Sequence, residues 1–188
     1  MDMPWGDEKT TQFITNVGLI TTSGPNGNNI MACEWTHMVS YSPGLIAVCI
    51  RAGKATYENI QKTKEFGVNL ASTEQTIMSS VAGNNTGKEV DKIKALEELG
   101  FKFYKGKKIK TLMIKEAALN AECKLIKEMQ LGSHTMFVGE VMEISIDSTK
   151  NPVAYHKGKY GKVEFSILKP SNEEREKINK IVEKFSKN

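Results

Sequence analysis

The chain has 188 residues, 39% hydrophobic and 26% charged, with a formal net charge of +4. This is the composition of a globular protein long enough to bury its own core, and it excludes a disordered tail. No stretch of fifteen apolar residues occurs, so no membrane partner is expected.

The make-up of the charge excludes more. Arg51 and Arg175 are the only arginines; the other 24 basic residues are lysine. Readers of DNA or RNA lean on arginine for bidentate contacts, so no nucleic-acid partner is expected. Residues 1–8 lack a charged-then-apolar leader, which makes the cytoplasm the expected location. Cys33, Cys49 and Cys123 are odd in number and far apart, and His37, His134 and His156 are scattered. Neither a disulfide scaffold nor a metal site is expected from that spacing.

Segment 13–22 is rich in β-branched residues and reads as a strand, followed by a turn over 23–29. Segment 30–39 reads as a second strand and 45–51 as a third, nearly continuous and apolar. A helix is expected near 57–64 with Thr56 as its N-cap. A strand follows at 66–70, then a helix opened by the capping box Ser72/Gln75. A second box, Thr86/Glu89, is expected to open a helix over 88–99. Segments 109–114, 117–129, 134–146 and 163–168 read as strands. Ser171 and Glu174 open a final amphipathic helix, 171–186, whose Ile178, Ile181, Val182 and Phe185 form one stripe. One domain is expected over 1–188, mainly β with helical insertions (α+β): a barrel-like antiparallel sheet with helices after its third and fourth strands.

Familiar nucleotide motifs fail. No Gly-x-Gly-x-x-Gly follows a strand. The stretch Gly83-Asn-Asn-Thr-Gly87-Lys88-Glu89 is one residue too short for a P-loop and carries Glu where Ser or Thr meets magnesium.

Four constellations survive. Arg51-Ala-Gly-Lys54-Ala-Thr56 gathers two cations and a hydroxyl at a helix start, which suits a phosphate dianion; the ordinary alternative is a solvated loop. Asn29-Ile-Met-Ala-Cys-Glu-Trp35-Thr36 offers extended backbone and small side chains to the edge of a flat heterocycle; the alternative is a core strand. His134 begins a strand after Gly132-Ser133 and suits proton management or contact with a bound group; the alternative is a structural histidine. Gly87-Lys88-Glu-Val-Asp91-Lys92 adds charge to a phosphate, or is a solvated first turn.

Together and in this order, these segments resemble the flavin reductase-like family of FMN-binding split-barrel proteins, from about residue 10 to about 168. Asn29…Met31…Trp35 with Ser40…Pro43, Phe66…Asn69, Gly83…Thr86-Gly87-Lys88…Asp91-Lys92 and Gly132-Ser133-His134…Gly139…Val141 carry the resemblance, with Tyr155 to Tyr160 as a late segment. The chain departs from the family pattern at Thr86, Lys88 and Ser133. The first two keep a hydroxyl and a charge; the third removes a carboxylate beside His134.

The resemblance implies a Greek-key split β-barrel homodimer with one FMN per subunit near the interface; the C-terminal helix lies outside the resemblance and is expected to brace a subunit interface. The resemblance implies phosphate contacts from Arg51, Lys54, Ala55 and Thr56. It implies ring contacts from Met31, Ala32, Cys33, Glu34, Trp35 and Thr36, and from Asn69, Leu70, Ala71 and Ser72. Ala82, Gly83, Lys88, Asp91 and Lys92 would close the site, and His134 would stand at the reactive edge. NAD(P)H is the implied electron donor, with free flavin, ferric iron or a protein as acceptor. A flavoredoxin-like carrier fed by a protein partner is the second reading, and a non-enzymatic barrel-type binding module the third.

Overall fold

Runs of β-branched and alternating apolar residues make strand the commonest regular structure in this chain, as sterics on a pleated surface favour. The computed structural model describes residues 1–187. Strands β1 (Thr15–Asn16), β2 (Gly18–Thr22), β3 (Asn29–Cys33), β4 (Thr36–Tyr41) and β5 (Gly44–Ile50) come first. Helix α1 (Ala55–Thr63) leads to β6 (Glu65–Leu70), and a 3-10 turn at Thr73–Gln75 leads to α2 (Thr76–Asn84) and α3 (Lys92–Glu98). Three strand pairs follow: β7 (Phe103–Lys105) with β8 (Leu112–Ile114), β9 (Leu119–Leu131) with β10 (His134–Ile146), and β11 (Val153–His156) with β12 (Lys159–Lys162). Helix α4 (Asn172–Glu183) ends the described chain.

Seven strands form one antiparallel sheet in the order β3-β2-β6-β9-β10-β5-β4. Its two edge strands, β3 and β4, are consecutive in the chain, with only Glu34 and Trp35 between them. So short a link spans roughly 10 Å at most. The sheet must therefore curl, with its natural twist, until its edges meet. Cys49 N–H of β5 donates to Trp35 O at 3.0 Å, fastening the join.

Curling puts core on both faces. All five residues of β2 are buried. Ile20 packs with Val48, Phe66 and Phe137 among strands, and Leu19 packs with Ile30, Met78 and Leu96 under the helices. Gly139 makes room for Phe66: a Cβ there would meet the ring at 2.5 Å.

Several sequence-based boundaries shift, each for a physical reason. Segment 30–39 is two strands, because the chain crosses from one sheet edge to the other at 34–35. Lys54, not Thr56, holds the N-cap of α1; Thr56 lies buried inside the first turn. The Thr86/Glu89 box does not form, since Thr86 O takes the N–H groups of Glu89 and Val90 in a turn. Helix α3 starts six residues after Thr86, N-capped by Asp91, whose carboxylate accepts from Lys94 N–H at 3.1 Å. Segment 109–114 is a strand only over β8. Segment 163–168 is not a strand and lies exposed. The Ser72/Gln75 and Ser171/Glu174 boxes are present, opening the 3-10 turn and α4.

Candidate functional site

A cleft of about 1200 Å³ opens where β3, the start of α1, the C-terminal end of α2 and the start of β10 converge. Thirteen of the residues singled out by sequence line it: Met31 to Trp35, Arg51, Lys54, Ala55, Thr56, Ala82, Gly83, Lys92 and His134.

One end of the cleft is electropositive. The α1 helix begins without any side chain capping its first N–H groups. An uncapped helix start leaves those donors free and carries the positive end of the helix dipole. Arg51 and Lys54, both exposed, add two cations beside it. Beneath them, the Thr56 hydroxyl accepts from Asn29 Nδ2 at 2.8 Å, fixing the helix start to β3. Gly87 presses on the same pair: a Cβ there would lie 2.1 Å from Asn29 Oδ1 and 3.2 Å from Ala55 Cβ. Only glycine lets that loop approach so closely.

Lys92 is 2% exposed and spans the seam between α2 and α3. Its Nζ donates to the carbonyls of Ala82 and Asn85, both at 3.2 Å, at the C-terminal end of α2. Burial, with the Lys54 charge second, pushes its pKa down to about 8.

The other end is aromatic. The rings of Trp35 and His134 lie 4.6 Å apart, centroid to centroid, tilted by 54°. Ser133 Oγ sits 2.8 Å from His134 Nδ1, so a hydrogen bond to the imidazole survives without a carboxylate. Burial and, second, the Arg51 charge hold the His134 pKa below its ordinary value. The thiols of this region are not activated. Burial pushes Cys33 up to about 11 and raises Cys49 as well.

Seven of the singled-out residues stand outside the cleft lining. Thr36 is buried and donates to Cys33 O at 3.1 Å, holding the β3–β4 join. Asn69 is a fully buried node: its Nδ2 donates to Leu19 O at 2.8 Å, and its Oδ1 accepts from Ile114 N–H at 3.1 Å and Asn120 Nδ2 at 2.7 Å. Leu70 ends β6, Ala71 packs in the core, and Ser72 N–H donates to Gln75 Oε1 at 3.1 Å. Lys88 pairs with Glu58, and Asp91 caps α3.

Sequence reasoning gave no contact to Cys49, Tyr155 and His156 and missed Ser79 and Trp5 altogether, and all five line the cleft with Asn29. Tyr155 and His156 arrive on the β11–β12 hairpin, whose turn uses left-handed Lys157 (φ 49°) and Gly158 (φ 74°). The Lys-Gly pair flanked by tyrosines was the readable signal for that hairpin. Tyr160 OH anchors it by donating to Ser79 Oγ at 3.1 Å. The arrangement as a whole suits a flat, partly apolar ring carrying an anionic arm.

Comparison with known proteins places this geometry. A ferric-chelate reductase (NAD(P)H) of Archaeoglobus fulgidus is 28% identical over 130 residues, covering 68% of this chain and 73% of that one. The structure of the flavin reductase PheA2 superposes with a TM-score of 0.73 at 28% identity, covering 88% of this chain and all of the other. The flavoredoxin of Desulfovibrio vulgaris (Miyazaki F) shares the fold, with a TM-score of 0.75 at 24% identity over 92% of this chain and 98% of its own. Residues 10–164 match the family profile described as "Flavin reductase like domain", and the chain belongs to that family.

Proposed function

We propose that this protein is an NAD(P)H-dependent flavin or ferric reductase that works through FMN held in the cleft. One observation carries the reading: a single cleft joins an uncapped helix start flanked by Arg51 and Lys54 to the Trp35–His134 pair. The residues fit a phosphorylated flavin. Free backbone N–H groups and two cations suit its phosphate, and Gly87 leaves the loop space to lie against α1. The β3 edge, Met31 to Trp35, supplies backbone groups and an apolar wall for a flat ring.

When bound, the flavin would supply the two-electron chemistry between a nicotinamide donor and an acceptor. The chain's own residues bind and orient. Arg51, Lys54 and the α1 N–H groups hold the phosphate. Trp35 excludes water from one side of the ring system. His134, neutral near pH 7 and fixed through Nδ1 by Ser133, presents its other nitrogen to the reacting edge.

We further propose a split-barrel homodimer. Phe165, Ile167 and Leu168 are each more than nine-tenths exposed in the single chain, and the stripe of α4 is also exposed. So much apolar surface supports coverage by a second copy.

Anaerobic mixing of the flavin-loaded protein with NADH and with NADPH tests the activity. Bleaching by either nucleotide supports the reductase. Retained flavin that stays oxidised with both would replace it with a carrier fed by another protein.

A further inference from the structure

The first thirteen residues stand apart from the rest of the site. Met3, Trp5 and Phe13 line the cleft, yet the family match begins only at residue 10. Every hydrogen bond that residues 1–13 make among the described residues is internal to the segment. Thr10 Oγ1 donates to the carbonyls of Pro4 and Asp7 at 3.1 and 2.8 Å, Asp7 N–H to Pro4 O at 3.2 Å, and Thr11 N–H to Asp7 O at 3.0 Å. The segment is thus a small self-bonded turn unit. It joins β1 through Phe13 and Ile14, both largely exposed. Trp5 is 79% exposed, although it borders a large cleft. An indole left in water beside such a cleft gains by covering a ring bound within it.

We propose that residues 1–13 form a flap and that Trp5 covers the flat ring of the flavin bound in the cleft. The inference rests on the flavin reading of the cleft. Closure breaks no hydrogen bond between the segment and the body, because none is present among the described residues. It removes apolar surface of both the indole and the ring system from water, and it keeps water from the ring. Trp5 then contributes to flavin affinity from outside the region that matches the family.

The test is a titration of wild type, Trp5→Ala and Trp5→Phe with FMN, read by quenching of the flavin's own fluorescence. Trp5→Ala is expected to raise Kd about tenfold, the size of one lost aromatic stack, and Trp5→Phe by less than about threefold. Thermal unfolding without flavin is expected to coincide for all three, since Trp5 is exposed. In parallel, trypsin cleavage after Lys9, which is exposed, is expected to slow several-fold when FMN saturates the protein. An unchanged Kd for Trp5→Ala, or a cleavage rate indifferent to FMN, would overturn the flap and leave the flavin reading intact. Failure of the wild type to bind FMN would instead overturn the flavin reading and the flap with it.

Discussion

The imidazole of His134 lies 4.6 Å from the indole of Trp35, and Ser133 Oγ approaches its Nδ1 at 2.8 Å. Two neighbours therefore fix the ring, and neither is a carboxylate. With burial and Arg51 both disfavouring the cation, this imidazole is neutral at pH 7. The role we propose for it is to position rather than to donate charge. His134→Ala is expected to slow flavin reduction by NAD(P)H about tenfold to a hundredfold, with FMN affinity changed less than about threefold. Stopped-flow reduction beside equilibrium titration separates the two; an unchanged reduction rate removes His134 from the reacting edge.

Arg51 stands at the electropositive end of the cleft, where we propose that the phosphate binds. Arg51→Ala is expected to weaken FMN binding about tenfold to a hundredfold, the size of one charge-assisted contact. Riboflavin lacks the phosphate, so its affinity is expected to stay the same. Calorimetric titration with both ligands checks this, and an equal loss for both would move the phosphate away from Arg51.

Lys92 gives a pH signature. Its pKa is about 8 in the folded chain, against an ordinary 10.5. Between those values the unfolded chain binds the proton that the folded chain has lost, so this group's contribution to stability rises with pH across that window. Denaturant unfolding of wild type and Lys92→Met at about pH 7.5 and pH 10 is expected to show a gain on raising pH that the variant lacks. The same lost charge is expected to weaken FMN binding above about pH 8, and Lys92→Arg is expected to abolish that dependence. A flat affinity profile for wild type would show that the ammonium does not act on the phosphate.

Asn69 tests the assignment of a structural node. Its amide serves Leu19 O, Thr21 Oγ1, Ile114 N–H and Asn120 Nδ2, with no exposure. Asn69→Ala leaves several buried polar groups without partners and is expected to cost about 2–4 kcal/mol by urea unfolding. A cost under about 0.5 kcal/mol would mean that water replaces the amide.

Much of this was legible in the sequence, and the reasons it failed in places are physical. Strong local patterns held. The apolar run of β5, the long hairpin β9–β10 and the capping box at Ser171/Glu174 appear where their residues place them. That Arg51, Lys54 and Thr56 share one place was legible because they lie close together in the chain, and all three line the cleft. What local pattern misses is tertiary competition. Thr86 had the chemistry of an N-cap, yet Asp91 took the role on α3 once Lys92 was buried against α2. The family resemblance singles out Asn69, but not what its side chain does; burial between β2 and β9 commits the amide to the scaffold. Trp5 carries no periodicity or motif, and only the folded chain shows that it borders the cleft.

The most direct measurement of the central claim is a paired titration of the wild-type protein with FMN and riboflavin, followed by anaerobic addition of NADH and NADPH to the flavin-loaded protein. Expected are binding of FMN at least about tenfold tighter than riboflavin, reflecting the electropositive end at Arg51, Lys54 and α1, and bleaching of the bound flavin by one of the nucleotides. Absence of FMN binding, or equal affinity for the two flavins, would contradict the assignment of the cleft.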